Sequence, residues 1–298
     1  MRLLSFGENR IGVLKDSNVV DVTDALDHWG VKRLQTNVEE MIEDFAYYKP
    51  KFEALVADQS GVPTETVKLL PPIPRPSKIL AAYSNYVDRV ARSEPGPIEF
   101  FYKSPTGIIG PGDTVELPDN PEVGVYHFEA ELAFVIGKTA KHVNESNAMD
   151  YIFGYIPFFD VSARPAPGIQ RPTQFIGKGE DRFAPIGPYI VTADEVPDPH
   201  NLRVQSWVNG EERQDYTTGD MANNIPAQIA WLTQFVTLIP GDIVTTGTHH
   251  AGLRAINGGD KVEIEIENLG RMALEVKGFG PPKNTEPAIF ARREESEQ

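Results

Sequence analysis

Apolar and polar positions come in short runs at the start of the chain. Leu3-Leu4-Ser5-Phe6, Ile11-Gly12-Val13-Leu14 and Val19-Val20-Asp21-Val22 are separated by Gly7-Glu8-Asn9 and Lys15-Asp16-Ser17-Asn18. This pattern predicts three short strands with tight turns. The period then changes. Val38, Met41, Ile42 and Phe45 follow i, i+3, i+4, i+7, which predicts a helix, with Thr36 and Glu39 as its capping box. A second short helix is expected from near Pro50, burying Phe52, Leu55 and Val56 and ending at Gly61. Residues 1–70 thus read as a small N-terminal α/β module. Pro71, Pro72, Pro74 and Pro76 form a stiff connector to a strand-rich body over 71–280. Asn209-Gly210 is a type I′ hairpin signal, and Asn268-Leu269-Gly270 turns a second hairpin. Ile225, Ile229, Leu232 and Val236 share a helical face, which predicts a helix over 224–238. A shorter helix is expected over 145–153. Residues 281–298 form a C-terminal tail.

The central stretch is Tyr126-His127-Phe128-Glu129-Ala130-Glu131-Leu132-Ala133-Phe134-Val135-Ile136-Gly137. On a strand, Glu129 and Glu131 face one way, and Phe128, Ala130, Leu132 and Phe134 face the other. Two neighbouring carboxylates at the start of a buried strand repel each other. Either one takes up a proton or a cation sits between them, and the cation suited to oxygen donors is hard: Mg²⁺, Mn²⁺ or Ca²⁺. The alternative is a solvated edge strand carrying two ordinary glutamates.

Charge narrows the set of partners. The 298-residue chain has a net charge of −15, which makes nucleic acid and anionic membranes poor partners. It has no cysteine, which excludes disulfides, thiol nucleophiles and Cys-ligated zinc. No stretch approaches the ~20 apolar residues of a membrane span. The N-terminal apolar run is too short for a signal peptide, so a cytoplasmic location is expected.

Other stretches offer candidate chemistry. Asp160 follows the apolar run 154–159 and reads as the end of a buried element, with Arg164 four residues on. Those two could serve a metal and an anionic ligand, or simply form a buried ion pair. Lys178 stands between Gly177 and Gly179, as either a site lysine or a solvated loop lysine. In Thr246-Gly247-Thr248-His249-His250, glycine and hydroxyls allow close approach of a ligand. The two histidines point to opposite faces of an extended segment, one to solvent and one to a site.

Taken in order, these blocks resemble the fumarylacetoacetate hydrolase family over about residues 77–280. They are Asn85-Tyr86, Phe101-Tyr-Lys103, the strand from Glu129 to Lys138, Gly154-Tyr155, Asp160-Val-Ser-Ala-Arg164 and Gly177-Lys178. They continue with Pro185-Ile-Gly-Pro188, Val208-Asn-Gly-Glu211, Gly219-Asp-Met221, Pro240-Gly-Asp242 and Thr246-Gly-Thr248. The resemblance implies an α+β, β-rich fold of layered, rolled mixed sheets with a few peripheral helices, in a homodimer. It implies a divalent metal, Mg²⁺ or Mn²⁺, on Glu129, Glu131 and Asp160, and a small 2-oxo acid substrate. It gives Lys178 a place over the reacting carbonyl, Thr248 a place on the substrate carboxylate, and Arg164 and Tyr86 places in the substrate site.

The chain also departs from the family pattern. Hydrolytic members carry a His and a Glu three residues apart after the Asn-Tyr, and here those positions are Arg89 and Arg92. Arginine cannot act as a base. His249 stands where a proline is usual; it, His250 or Glu94 replaces the missing catalytic group, or the reaction needs no activated water. Arg89 and Arg92 suit a distal carboxylate of the substrate instead. The leading expectation is metal-dependent C–C cleavage of an acylpyruvate or diketo acid, in breakdown of aromatic compounds or sugar acids. The alternatives are a decarboxylase, tautomerase, isomerase or dehydratase acting through a 2-oxo acid enolate, or a non-catalytic metal-binding homologue.

Overall fold

The computed structural model describes residues 1–27, 33–87, 96–166, 168–169 and 174–278. Arg89, Arg92, Glu94 and the tail 281–298 lie outside the described residues. The chain is β-rich. Among the described residues, strands form a twelve-stranded mixed sheet, a five-stranded sheet and one two-stranded ladder.

The large sheet is built on one long antiparallel hairpin, Val123–Ile136 against Ile152–Pro165. Its alternation is the expected one. Phe128, Ala130, Leu132 and Phe134 enter the main core, together with Tyr155, Phe159 and Val161 from the partner strand. The opposite face carries Glu129 directly across from Asp160, Glu131 across from Phe158, and Ala133 across from Ile156. Asp160 is therefore in mid-strand, not at the end of an element as its apolar run suggested. The run continues through Val161 and Ala163, which supply the apolar face beyond it.

On one side of the hairpin, strand Ile190–Thr192 connects it to Arg2–Phe6, Arg10–Lys15 and Asn18–Asp21. The N-terminal strands therefore extend the large sheet, and their side chains join Ala133, Val135, Ile156 and Phe158 in a second core. On the other side, Ile243–Thr245 pairs with residues 133–135 and with Ile79–Ala82, which pairs with the edge strand Phe100–Lys103.

Several local expectations hold. Asn209 and Gly210 both have positive φ (51° and 79°), as a type I′ turn requires. Helix Ile225–Phe235 starts at Asn224, whose side chain accepts from Ala227 N at 2.9 Å, and it buries Ile225, Ile229 and Leu232. Others shift. The first helix runs Leu34–Glu43 without a side-chain cap, so Thr36 lies inside it. The second starts at Phe45 and carries Pro50 within it. Burial of Tyr48 and Phe52 in the N-terminal core outweighs the one backbone hydrogen bond that proline removes. The segment expected as a helix over 145–153 is a 3₁₀ helix, Glu145–Tyr151, because Ile152 and Phe153 already belong to the hairpin. No helix among the described residues is long and apolar enough to cross a membrane.

Candidate active site

The polar half of the hairpin face opens into a cavity of about 30 Å³. It is lined by Glu129, Glu131, Asp160, Arg164, Lys178, Thr248 and His250, with Phe101 and Tyr83 among its walls. A larger open cleft of about 640 Å³ lies at the seam with the N-terminal module. There the charges satisfy one another, Lys49 with Asp194 and the N-terminal amine with Glu195, each at 2.7 Å. The smaller cavity holds the chemistry.

Glu129, Glu131 and Asp160 are all buried, and each offers a carboxylate oxygen within 4.8 Å of the others. The hairpin register produces this: Glu131 is two residues along from Glu129 and Asp160 is directly across from it. Buried carboxylates require cations, and three side-chain cations converge on this cluster. Lys178 Nζ donates to Glu129 Oε2 at 2.8 Å, to Ser162 Oγ at 2.5 Å and to Asp160 Oδ2. Arg164 pairs with Glu129. Lys103 Nζ donates to Asp160 Oδ1 and to the backbone carbonyls of Lys178 at 2.9 Å and Val161 at 3.3 Å.

The cations are distributed unevenly. Burial alone would raise the Glu129 carboxyl, but Lys178 and Arg164 hold it well below the usual carboxylate range. Glu131 has a backbone donor, Gly247 N at 3.2 Å. Burial, and then the charges of Asp160 and Glu129, push its carboxyl well above the usual range. Burial also lowers Lys103 from the usual lysine value, against the opposing pull of Asp160. His127, one register step away opposite Ser162, is pushed down to about 3 by burial and then by Arg164, so it is a neutral imidazole.

The residues fit a hard divalent cation. Three buried carboxylates offer oxygen only, within the span of one ion, and one of them resists ionisation beside the other two. Glu129, Glu131 and Asp160 would hold a divalent cation.

The other expected residues are placed as follows. Lys178 is no loop lysine: it ends the short helix Gln174–Lys178 and is 4% exposed. Arg164 lines the cavity, but its partner is Glu129 and not Asp160. Thr248 is in the wall. Tyr86 is not: it is fully buried beneath the site, with its hydroxyl 3.5 Å from Thr246 Oγ1 and its ring edge-on to Tyr216. Of the two histidines, His250 lines the cavity, whereas His249 stacks on Tyr216 with 5.7 Å between ring centres. The histidine in the cavity is His250 and not His249, which is half-buried against Tyr216.

Sequence reasoning gave no role to Lys103, Ser162, Gln214 or Tyr216. For Lys103 the signal was its place in the family block Phe101-Tyr-Lys103. In the structure it lies on the strand face opposite Tyr102, which is 59% exposed. Phe101 lies under the Lys178 ammonium, 5.2 Å from ring centre to Nζ. For Gln214 and Tyr216 there was no local signal, since they reach the site from the other sheet.

Comparison with known proteins places this geometry among relatives. The family described as fumarylacetoacetate (FAA) hydrolase C-terminal matches residues 78–277. The chain is 39% identical over 231 residues to the mitochondrial oxaloacetate tautomerase of Xenopus laevis, covering 74% of this chain and 72% of that protein. It is 40% identical over 228 residues to the 4-hydroxyphenylacetate degradation bifunctional isomerase/decarboxylase of Escherichia coli, covering 75% of this chain and 52% of that protein. The crystal structure of maleylpyruvate hydrolase from Sphingobium sp. SYK-6, in complex with manganese(II) and pyruvate, matches with a TM-score of 0.84 at 35% identity. That match covers 93% of this chain and 99% of that one.

Proposed function

The chain belongs to the fumarylacetoacetate hydrolase family of enzymes, and we propose that it forms and protonates the enolate of a small 2-oxo acid in a divalent-metal-dependent reaction. The observation that carries this reading is Lys178, whose buried ammonium lies against Glu129, Asp160 and Ser162 on the floor of the cavity. A bound Mg²⁺ or Mn²⁺ supplies Lewis-acid polarisation of the carbonyl. Lys178 stabilises negative charge as it grows on the substrate oxygen and moves the proton to or from it. Ser162 and the two carboxylates hold the ammonium in place. Thr248, Arg164 and His250 offer donors for the acid's carboxylate.

The step that forms the enolate decides the reaction type. Loss of a Cα proton (tautomerisation) or of CO₂ (decarboxylation) uses no water, whereas in C–C hydrolysis the enolate leaves only after a water, activated by a base, has added to the acyl carbonyl. Arg89 and Arg92 stand where hydrolytic members carry that base. The relatives that are a tautomerase and an isomerase/decarboxylase support the same choice. We therefore rank tautomerisation or decarboxylation of a dicarboxylic 2-oxo acid above C–C hydrolysis of an acylpyruvate. The hydrolytic reading is favoured by the His250 imidazole in the cavity wall and by the likeness to maleylpyruvate hydrolase. The reading includes a homodimer acting on a free small acid, without nucleic-acid or membrane partners.

The test is a panel of oxaloacetate and acylpyruvates with Mg²⁺ or Mn²⁺, following enol absorbance. Lys178→Met should lower kcat about a hundredfold while leaving metal affinity nearly unchanged. Full turnover in excess chelator, or equal losses in kcat and metal affinity, would overturn the reading.

A further inference from the structure

The outer edge of strand Val123–Ile136 is paired at two places with a gap between them. Ile243–Thr245 pairs with residues 133–135, and Ala255–Ile256 pairs with 126–127. In the gap, side chains from the five-stranded sheet and from the cavity wall serve the backbone of Ala130. Its N–H donates to Gln214 Oε1 at 3.1 Å. Its carbonyl accepts from Tyr216 Oη at 2.6 Å and from Thr248 Oγ1 at 2.8 Å. All these groups are buried.

The chemistry of the partners fixes the Gln214 amide. Gln214 Oε1 faces two donors, Ala130 N and Ser206 Oγ at 3.1 Å. Gln214 Nε2 faces the His249 carbonyl at 2.7 Å, which can only accept. The amide therefore has one orientation, and Nε2 must donate to Thr248 Oγ1 at 2.9 Å. A hydroxyl that accepts there has one proton to give, and Ala130 O at 2.8 Å is a nearer acceptor than the His249 carbonyl at 3.5 Å. In that state Thr248 has no proton for a ligand. Ala130 O, however, has two lone pairs and a second donor, Tyr216.

We propose that Tyr216 is a positioning residue: by holding the Ala130 carbonyl on its own, it lets Thr248 turn its hydroxyl proton onto the carboxylate of a bound 2-oxo acid. This rests on the reading above that the carboxylate lies against Thr248. Without the Tyr216 hydroxyl, the same turn would leave a buried carbonyl unpaired, which is unfavourable. The cost then appears on binding and not on folding.

The experiment measures Mn²⁺ affinity, pyruvate affinity of the Mn²⁺-loaded protein, and the ligand-free unfolding midpoint. Tyr216→Phe should weaken pyruvate binding about tenfold, the effect of one charge-assisted hydrogen bond. Mn²⁺ affinity and the midpoint should stay as in the wild type, because Thr248 still serves Ala130 O in the ligand-free protein. Thr248→Val should weaken pyruvate similarly, and the double variant should be no weaker than Thr248→Val alone. Unchanged pyruvate affinity in Tyr216→Phe beside a weakened Thr248→Val overturns the inference and leaves the enolate reading standing. So does a lowered midpoint with intact pyruvate binding, or additive losses in the double variant. Full pyruvate affinity in Thr248→Val removes the carboxylate from Thr248, and the inference falls with it. No pyruvate binding by the Mn²⁺-loaded wild type sinks the enolate reading itself.

Discussion

One face of the long hairpin changes character along its length, and its two halves are buried by opposite means. In one half, Ala133, Val135, Ile156 and Phe158 pack with Val13, Val20, Val38 and Phe52 of the N-terminal module in a single apolar core. In the other, Glu129, Asp160 and Ser162 are equally removed from water, but Lys178, Lys103 and Arg164 surround them. Apolar burial stabilises at about 25 cal/mol per Å². Buried ion pairs barely repay their desolvation. The first half therefore holds the fold together. The second half contributes little to stability and leaves Glu131 short of cations, ready to take one up.

That comparison can be broken at either end. The largest expected effect is in the apolar half. Ile156→Ala should cost about 2–5 kcal/mol of stability through the cavity it leaves, read by chemical denaturation. Mn²⁺ affinity of the folded protein should not change. A comparable loss of metal affinity would show that the two halves are not independent.

The polar half should answer in the reverse way. Glu131→Gln replaces a carboxyl that already tends to be neutral, so ligand-free stability should move by less than about 1 kcal/mol. Divalent-metal affinity should fall at least ten- to hundredfold. The pH dependence sharpens this. Glu131 holds its proton to higher pH in the folded protein than in the unfolded chain. Its contribution to ligand-free stability is therefore complete below the ordinary carboxylate range and is lost as pH rises through its own raised value. Metal affinity runs the other way over the same window, because the proton must leave first. Both slopes should disappear in Glu131→Gln, as followed by titration calorimetry and unfolding at several pH values.

The smallest effect belongs to an exposed ion pair at the seam between the module and the sheet. The Lys49 ammonium and the Thr192 hydroxyl hold the Asp194 carboxyl at about 2. A lowered carboxyl contributes stability above its ordinary value and loses it as pH falls towards 2. Asp194 is 53% exposed, so solvent screening keeps the step under ~1 kcal/mol. Asp194→Asn should remove it from acid-unfolding curves. A larger step would mean that exposed pairing at this seam matters as much as the apolar packing beside it.

The sequence by itself determined the local chemistry. Strand alternation was enough to put Glu129 and Glu131 on one face and Phe128, Ala130, Leu132 and Phe134 on the other, since side-chain direction on a strand depends only on parity. Turn residues determined the Asn209-Gly210 hairpin, since positive φ there depends on residue type. The order of the family blocks carried Asp160, Lys178 and Thr248 into one site. Only the tertiary structure decided the rest. The cross-strand register seats Asp160 opposite Glu129 in mid-strand and brings Lys103 to it from 57 residues away in sequence. The five-stranded sheet delivers Gln214 and Tyr216 to a gap in the other sheet. The turn after Gly247 puts His250 in the cavity and His249 on Tyr216, and packing buries Tyr86 below the site. The physical reason is one of range. Parity and turn geometry are set by bonds within a few residues, whereas register, sheet-to-sheet contact and the pairing of three cations with Glu129 and Asp160 but not Glu131 depend on groups far apart in the chain.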